Sequence, residues 1–208
     1  MKKAFWEIQW SIVGMEMLVI SHYVARAIFL LLLALPLYVL ARIVYVKAIH
    51  KSSFELNWKR ELLLAATSTY CFMLTWLLFE PQMFSGWSFD PRVTFAQSNF
   101  VPFSQISEYI LYGRERFNLD IIIVNLVGNV LMFVPLGILL PLAIKKLDSL
   151  KMIALVGLLL PITVEIIQLL IGRSADIDDV ILNFTGVILG YLILIGARHL
   201  FSKPSNRC

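Results

Sequence analysis

Residues 150–171 read LKMIALVGLLLPITVEIIQLLI, an apolar run in which Glu165 is the one carboxylate. A helix needs about 20 apolar residues to cross the roughly 30 Å hydrocarbon core of a bilayer, so this run predicts a membrane span. Four further runs have the same character: residues 27–46, 62–79, 119–144 and 180–199. The sequence therefore predicts an all-α, polytopic transmembrane helix bundle of about five spans.

The composition agrees with a membrane protein. Of the 208 residues, 59% are hydrophobic and 15% are charged, whereas soluble domains carry about 25% charged residues. The two cysteines, Cys71 and Cys208, fit neither a disulfide framework nor a metal-binding spacing. The net charge of +4 forms no basic stripe. We therefore expect no metal, no cofactor and no nucleic-acid partner.

The basic residues predict how the bundle is oriented, because Lys and Arg in short loops are retained in the cytoplasm. This places the N-terminus, residues 80–118 and residues 172–179 outside, and the C-terminus in the cytoplasm. Lys2, Lys3 and Arg26 oppose this orientation, but they are fewer than the residues that favour it. The basic residues that favour this orientation lie in three segments: Lys47, Lys51, Lys59 and Arg60; Lys145, Lys146 and Lys151; and Arg198, Lys203 and Arg207.

The chain divides into four parts by composition. Residues 1–26 mix acidic and aromatic side chains and are expected to form an interfacial segment, with a longer, tilted first helix as the alternative. Residues 27–79 hold the first two spans, residues 80–200 hold an aromatic outer loop and three spans, and residues 201–208 form a cytoplasmic tail. Within the loop, Ser104–Tyr112 is expected to form a short interfacial helix.

Polar residues recur at helical spacing in the last three spans, and each pair lies on one helix face. The pairs are Asn125 and Asn129 in span three, Glu165 and Gln168 in span four, and Asp179 and Asn183 in span five. The short patterns Asn125-Leu-Val-Gly128 and Asn183-Phe-Thr-Gly186 resemble each other. Since Gly permits close helix approach, they predict that spans three and five pack side by side, with span four bridging them. An intramembrane carboxylate is costly and usually functional, so Glu165 is expected to pair with Arg173; Arg173 would otherwise bind an anionic headgroup of the ligand. The alternative is that these polar groups only hold helices together.

The motifs together resemble the VanZ-like family of bacterial membrane proteins. They are Asn99-Phe-Val-Pro-Phe103, the run from Asn125 to Gly137, Glu165-Ile-Ile-Gln168, and Arg173-x-x-Asp176-x-x-Asp179-x-x-x-Asn183. The resemblance implies a VanZ-like domain over residues 80–200 and a multi-pass protein of the bacterial plasma membrane. It also implies a contribution to resistance against the glycopeptide teicoplanin, as in the founding member, without a settled mechanism.

Three functions follow as hypotheses. The favoured one is a non-enzymatic protein that binds a membrane lipid or lipophilic ligand at the outer leaflet; a homo-oligomer stays open. The alternatives are an intramembrane enzyme acting on a cell-wall lipid precursor, with Glu165, Asp176 and Asp179 as acid–base groups, and a flippase. The sequence carries no nucleophile motif that would favour an enzyme. The predicted binding residues are Asn99, Asn125, Asn129, Glu165, Gln168, Arg173, Asp176, Asp179 and Asn183.

Overall fold

The computed structural model describes residues 28–30, 32–48, 57–83, 91–116 and 122–201. Five helices are long and apolar enough to cross a membrane, which confirms the predicted bundle. They are α1 (Ile28–Ala48), α2 (Trp58–Met83), α5 (Asn129–Ala143) together with the residues from Asn125 that precede it, α6 (Leu150–Leu170) and α7 (Ile177–Phe201). The short helices α3 (Pro91–Ala96) and α4 (Ser104–Arg116) lie between α2 and α5. The predictions for residues 1–26 and for the tail beyond Phe201 lie outside the described residues. The orientation in the membrane stays a prediction.

The third span contains a change in helical winding. Val124–Gly128 forms a π-helical turn that follows helical residues 122–123 and leads into α5. Both α5, with Pro135 and Pro141, and α6, with Pro161, continue through their prolines as helices. The described irregularity in span three is therefore this turn, and single-turn π-helices are frequent at functional sites.

Helices α5 and α7 pack closely side by side, which confirms the predicted pairing of spans three and five, whereas α6 packs mainly against α7 and makes little contact with α5. Glycines permit the approach: a Cβ added to Gly186 would lie 2.2 Å from the Val130 carbonyl oxygen, and one added to Gly137 would lie 2.0 Å from that of Val187. A Cβ on Gly128 would meet nothing within 4 Å. The pairing was predicted correctly, but its close contacts on α5 come from Gly137 and not from Gly128.

The buried centre lies where α2 and α6 meet this helix pair. Its members are Leu74, Phe133, Leu136, Leu140, Ile153, Val187, Tyr191 and Leu194. Threonines inside the spans donate their hydroxyls to the carbonyl four residues earlier, as Thr67 does to Leu63. This bond gives such a hydroxyl a partner within its own helix, whereas the buried Thr69 hydroxyl has no partner among the described residues. Large apolar side chains of the spans stay exposed toward lipid.

Two ion pairs connect elements away from the polar motifs. The Arg42 guanidinium on α1 donates to both carboxylate oxygens of Glu61 on α2, at 2.8 and 2.5 Å. At the end of the bundle where α5 leads into α6, Arg198 pairs with Asp148 at 2.7 Å. Asp148 is therefore a paired carboxylate that lies at the opposite end of the bundle from the polar motifs.

Candidate functional site

The site begins where α6 ends. Gly172 adopts a left-handed conformation with φ 91°, which glycine enters without steric cost. The Arg173 N–H returns to the Gln168 carbonyl at 2.9 Å and the Gly172 N–H to that of Leu169 at 3.3 Å. This pattern is a Schellman motif, which satisfies the last carbonyls of a helix. It reverses the chain and leads within a few residues into α7.

Asp176 connects this turn to two helices. Its Oδ1 accepts from the Asp178 N–H at 2.8 Å, so it caps the N-terminus of α7 and satisfies one of the unpaired donors there. Its own N–H donates to Oε2 of Glu165 at 2.8 Å. The Glu165 side chain, which is 7% exposed, is therefore held by backbone at the start of α7.

The expected pair of Glu165 with Arg173 was wrong, since no ion pair joins these two described residues. The turn at Gly172 directs the Arg173 guanidinium to the Leu78 carbonyl on α2, 3.4 Å away. The Gln168 amide donates to the same carbonyl at 3.2 Å. Both side chains therefore tie the end of α6 to α2, and the backbone N–H of Asp176 replaces Arg173 as the direct partner of Glu165.

The loop before α4 is joined by a short ladder of hydrogen bonds to residues 172–179, the acidic turn. The Asn99 N–H donates to the Ala175 carbonyl at 2.8 Å, and the Asn99 carbonyl accepts from Ile177 at 2.9 Å. The Asn99 side-chain amide donates to Asp176 Oδ1 at 2.9 Å. The Ser98 hydroxyl accepts from the Ala175 N–H at 3.0 Å. The motif around Asn99 thus holds residues 98–104 against the start of α7.

Asp178 is a member of this site that the sequence prediction omitted. It is 1% exposed, and its carboxylate accepts three backbone N–H groups: Phe103 at 2.5 Å, Gln105 at 2.8 Å and Ile106 at 3.0 Å. Phe103 has φ 64°, a left-handed conformation that costs a non-glycine residue roughly 1–2 kcal/mol. Asp178 therefore caps α4 from another helix and stabilises a strained backbone. The sequence did contain a signal for it, because Asp178 lies between Asp176 and Asp179, two of the predicted binding residues.

The asparagines of α5 and α7 meet the same acidic groups to different degrees. The Asn129 amide donates to Asp179 Oδ1 at 2.6 Å, which joins α5 to the first turn of α7. Asn125 lies in the π-helical turn, one turn earlier in the chain. Asn183 is 3% exposed, and its Oδ1 is buried without a hydrogen-bond partner. Eight of the nine predicted residues lie in this network or in the helix turns beside it, and Asn125 lies in the π-helical turn before α5.

A sequence model of the VanZ/LLP1 family matches residues 67–201. The chain belongs to the VanZ/LLP1 family. It is also 37% identical over 85 residues to Protein VanZ of Enterococcus faecium, a match that covers 40% of this chain and 52% of that protein. The match thus spans about half the length of this curated relative. No solved structure matches the chain. The predicted VanZ-like resemblance is confirmed.

In this VanZ/LLP1 domain the carboxylates differ in how many donors they receive. Asp178 accepts three N–H groups and Asp176 accepts two, whereas Glu165 and Asp179 accept one each. The second oxygens of Glu165, Asp176 and Asp179 accept no hydrogen bond from any part of the chain that the structure describes. Nor does any group of three or more His, Cys, Asp or Glu in that part have an arrangement that would hold a metal. The site is thus rich in acceptors.

Burial has the largest effect on the protonation of two groups outside the spans. Burial raises the pKa of Asp176, the donors Asp178 N–H and Asn99 partly oppose the rise, and the charge of Asp178 adds to it. Burial also raises the pKa of Tyr109 on α4, and the charges of Asp179 and Asp176 add to the effect. Both groups are therefore held toward their neutral forms, chiefly by burial and further by neighbouring carboxylates.

Beside the polar network lies an apolar surface formed by the loop before α4, the aromatic shelf. Its side chains are more than half exposed: Phe100 at 58%, Val101 at 65% and Phe103 at 58%. Ile110 and Leu111 extend the exposed apolar surface along α4. The helix α4 itself confirms the short helix expected in this loop. A polar, acceptor-rich centre and an exposed apolar shelf therefore adjoin at one end of the bundle.

Proposed function

We propose that this VanZ/LLP1 protein binds a lipid-linked or lipophilic molecule at the outer face of the bacterial plasma membrane, without catalysing a reaction. The observation that carries the proposal is the direct hydrogen bonding of the aromatic shelf to the acidic turn. Asn99 bonds Asp176 and the Phe103 N–H bonds Asp178, on either side of the exposed Phe100 and Val101. An amphiphile needs adjoining polar and apolar surfaces of this kind.

The depth of the polar groups suits the head of such a molecule. Glu165 lies five residues before the end of α6, which corresponds to about 7.5 Å of helix rise. Asp179 lies in the first turn of α7. Polar groups at this depth lie near the boundary between headgroups and hydrocarbon, and the predicted orientation places that boundary in the outer leaflet.

Teicoplanin resistance, implied by the family resemblance, is compatible with this function. Teicoplanin carries an acyl tail, so a protein that binds acyl-bearing amphiphiles could reduce the amount of drug that acts on the envelope. We therefore propose a contribution to glycopeptide resistance as the cellular consequence of binding, separate from the binding itself.

The test is antibiotic susceptibility in a strain that lacks this gene, complemented with wild type or Glu165→Gln. Gln keeps an oxygen that can accept from the Asp176 N–H but removes the charge. Teicoplanin is compared with a glycopeptide that has no acyl tail, and the membrane level of each variant is measured by blot. We expect wild type to restore protection against teicoplanin alone, and Glu165→Gln to fail at an equal membrane level.

A matched control is Asp148→Asn, which removes the charge of a paired carboxylate at the other end of the bundle. This variant is expected to protect like wild type. If Glu165→Gln protects as well as Asp148→Asn does, the polar network does not act in resistance. Equal protection against both drugs would contradict recognition of the acyl tail.

The enzyme and the flippase stay as alternative proposals. An enzyme would use Glu165, Asp176 and Asp179 as acid–base groups, and purified protein would then convert a lipid precursor that Glu165→Gln leaves unchanged. A flippase would move a labelled lipid between the leaflets of a vesicle. Neither has an observation among the described residues that favours it over binding.

A further inference from the structure

We infer that the head of the bound molecule carries a primary ammonium group, held by Glu165, Asp179 and Asn183. This inference rests on the proposed binding function and adds the chemical class of the ligand. It opposes the simpler expectation that Arg173 receives an anionic head.

The excess of carboxylates in the site favours a cationic ligand. Glu165 and Asp179 are the carboxylates with the fewest donors, one each, while Asp178 and Asp176 are engaged in capping α4 and α7. Arg173, the basic residue of the acidic turn, donates to the Leu78 carbonyl, and its charge acts on Glu165 and Asp179 without a hydrogen bond to either. A phosphate or carboxylate placed in this network would face carboxylates, whereas an ammonium group would neutralise them.

Asn183 provides an independent observation. Its side chain is 3% exposed and its Oδ1 has no partner. A buried acceptor without a donor is destabilising by about the desolvation of that group, so its presence needs an explanation. Asn183 lies four residues after Asp179 in α7, so the two share one helix face one turn apart. The residue with the unpaired oxygen and the residue whose carboxylate has spare capacity thus lie on the same face of α7.

The number of N–H groups distinguishes a primary ammonium group from other hydrogen-bond donors. A primary ammonium group has three N–H donors and no acceptor, which matches one oxygen each from Glu165, Asp179 and Asn183. Ca²⁺ would need six to eight oxygen ligands, and the described residues hold no group of three or more His, Cys, Asp or Glu arranged for a metal. The aromatic shelf then offers an apolar surface for the remainder of an amine-bearing amphiphile.

The experiment measures thermal unfolding of the full-length purified protein in a neutral detergent at neutral pH. Four probes are added separately: decylammonium, decanoate, decanol and ethanolamine. We expect decylammonium to raise the melting temperature by about 3 °C or more at tenfold excess over its dissociation constant, with no rise from decanoate or decanol. A rise with ethanolamine alone would identify a soluble amine as a sufficient ligand, and its absence would indicate that the apolar chain is also needed.

Variants test the assigned residues. Glu165→Gln and Asp179→Asn should weaken decylammonium binding at least tenfold, whereas Asp148→Asn should bind like wild type. Asn183→Leu is the sharpest variant: it removes an unpaired acceptor, so it should raise the melting temperature without probe and still weaken probe binding. If Asn183→Leu lowers stability and leaves binding unchanged, Asn183 is a packing residue and the inference is overturned.

The failure of this inference is distinguishable from the failure of the proposed function. Stabilisation by decanoate or decanol but not by decylammonium would leave amphiphile binding in place and contradict the ammonium head. Decylammonium binding that persists in both carboxylate variants would also contradict it. If none of the three ten-carbon probes shifts the melting temperature, both the ammonium head and amphiphile binding are contradicted.

Discussion

Replacing Gly186 by Ala tests whether the packing of α5 on α7 sets the geometry of the site. The added Cβ would lie 2.2 Å from the Val130 carbonyl oxygen and 3.1 Å from the Phe133 Cβ. Ordinary contact begins near 3.4 Å, so the helices must separate locally by about 1.2 Å. Backbone lies on both sides of this contact, and no side-chain rotation can relieve it.

The same displacement reaches the site. Asn129 precedes Val130, and its amide lies 2.6 Å from Asp179 Oδ1. An added separation of about 1.2 Å would lengthen this distance to about 3.8 Å, which is no longer a hydrogen bond. Overpacking costs about 1–3 kcal/mol and an interhelical hydrogen bond contributes about 0.6 kcal/mol, while Ala favours the helix over Gly by about 1 kcal/mol. The net destabilisation is therefore about 2 kcal/mol.

The assay is thermal unfolding of purified protein in detergent, where about 2 kcal/mol corresponds to a decrease of about 4–8 °C for a chain of this size. Gly128→Ala and Gly196→Ala are the matched controls, because a Cβ at either position meets nothing within 4 Å. Both controls should be neutral or slightly stabilising, since they keep the packing and gain helix propensity.

The reasoning would be refuted if Gly186→Ala unfolds at the same temperature as Gly128→Ala. It would also be refuted if Gly186→Ala is destabilised as expected but binds decylammonium with the wild-type dissociation constant. The second result would mean that α5 and α7 can separate without disturbing the Asn129–Asp179 contact.

Three further predictions follow from the site. Asp178→Ala should leave the N–H groups of Phe103, Gln105 and Ile106 without their acceptor, so hydrogen exchange at these amides should accelerate at least tenfold, with Asp148→Ala unchanged; equal protection in both variants would contradict the cap. Gly172→Ala should lower stability by about 1–2 kcal/mol because φ there is 91°, measured as a lower melting temperature, whereas no decrease would mean that the turn adapts. The raised pKa of Asp176 means that the folded protein favours the protonated carboxyl, so stability contributed by this group is highest below its ordinary pKa of about 4 and declines as pH rises through the raised value. Melting temperatures measured from acid to neutral pH should decline less steeply in Asp176→Asn, and identical slopes would contradict the assignment.

Most of the fold was predictable from the sequence because the bilayer imposes length and polarity on each span. The fourth span, predicted at 150–171, is observed as Leu150–Leu170. The third span was predicted over residues 119–144; residues 119–121 lie outside the described residues, and the candidate membrane helix is Asn125–Ala143, which starts within the π-helical turn. Hydropathy averages over a window and does not detect a change of winding, so the π-helical turn could not be obtained from it.

The site was predictable to the extent that it depends on side chains with helical spacing. Asn129, Glu165 and Asp179 were selected by their cost in a membrane and by shared helix faces, and Asp176 by the motif shared with the VanZ-like family. These residues meet as a network. What the sequence could not indicate were contacts made by backbone. The N–H that holds Glu165 belongs to Asp176, and it reaches Glu165 because Gly172 closes the Schellman motif.

Backbone donors also explain why Asp178 was missed and why Arg173 was assigned the wrong partner. Pairing arguments from sequence match charges with opposite charges, but a buried carboxylate is equally well satisfied by several N–H groups. Asp178 receives three of them from the start of α4, where the helix has unpaired donors and positive dipole. Arg173 is then free of Glu165 and binds the Leu78 carbonyl instead.

The two ways of holding a carboxylate lead to different roles within one acidic turn. Asp178 and Asp176 are satisfied by helix N-termini, and their task is to fix α4 and α7 relative to each other. Glu165 and Asp179 each accept one donor, and Asn183 holds a buried oxygen with none. A site built only for stability would fill such acceptors, since each unfilled one is destabilising. The unfilled acceptors therefore mark the part of the turn where a donor from outside the chain is expected.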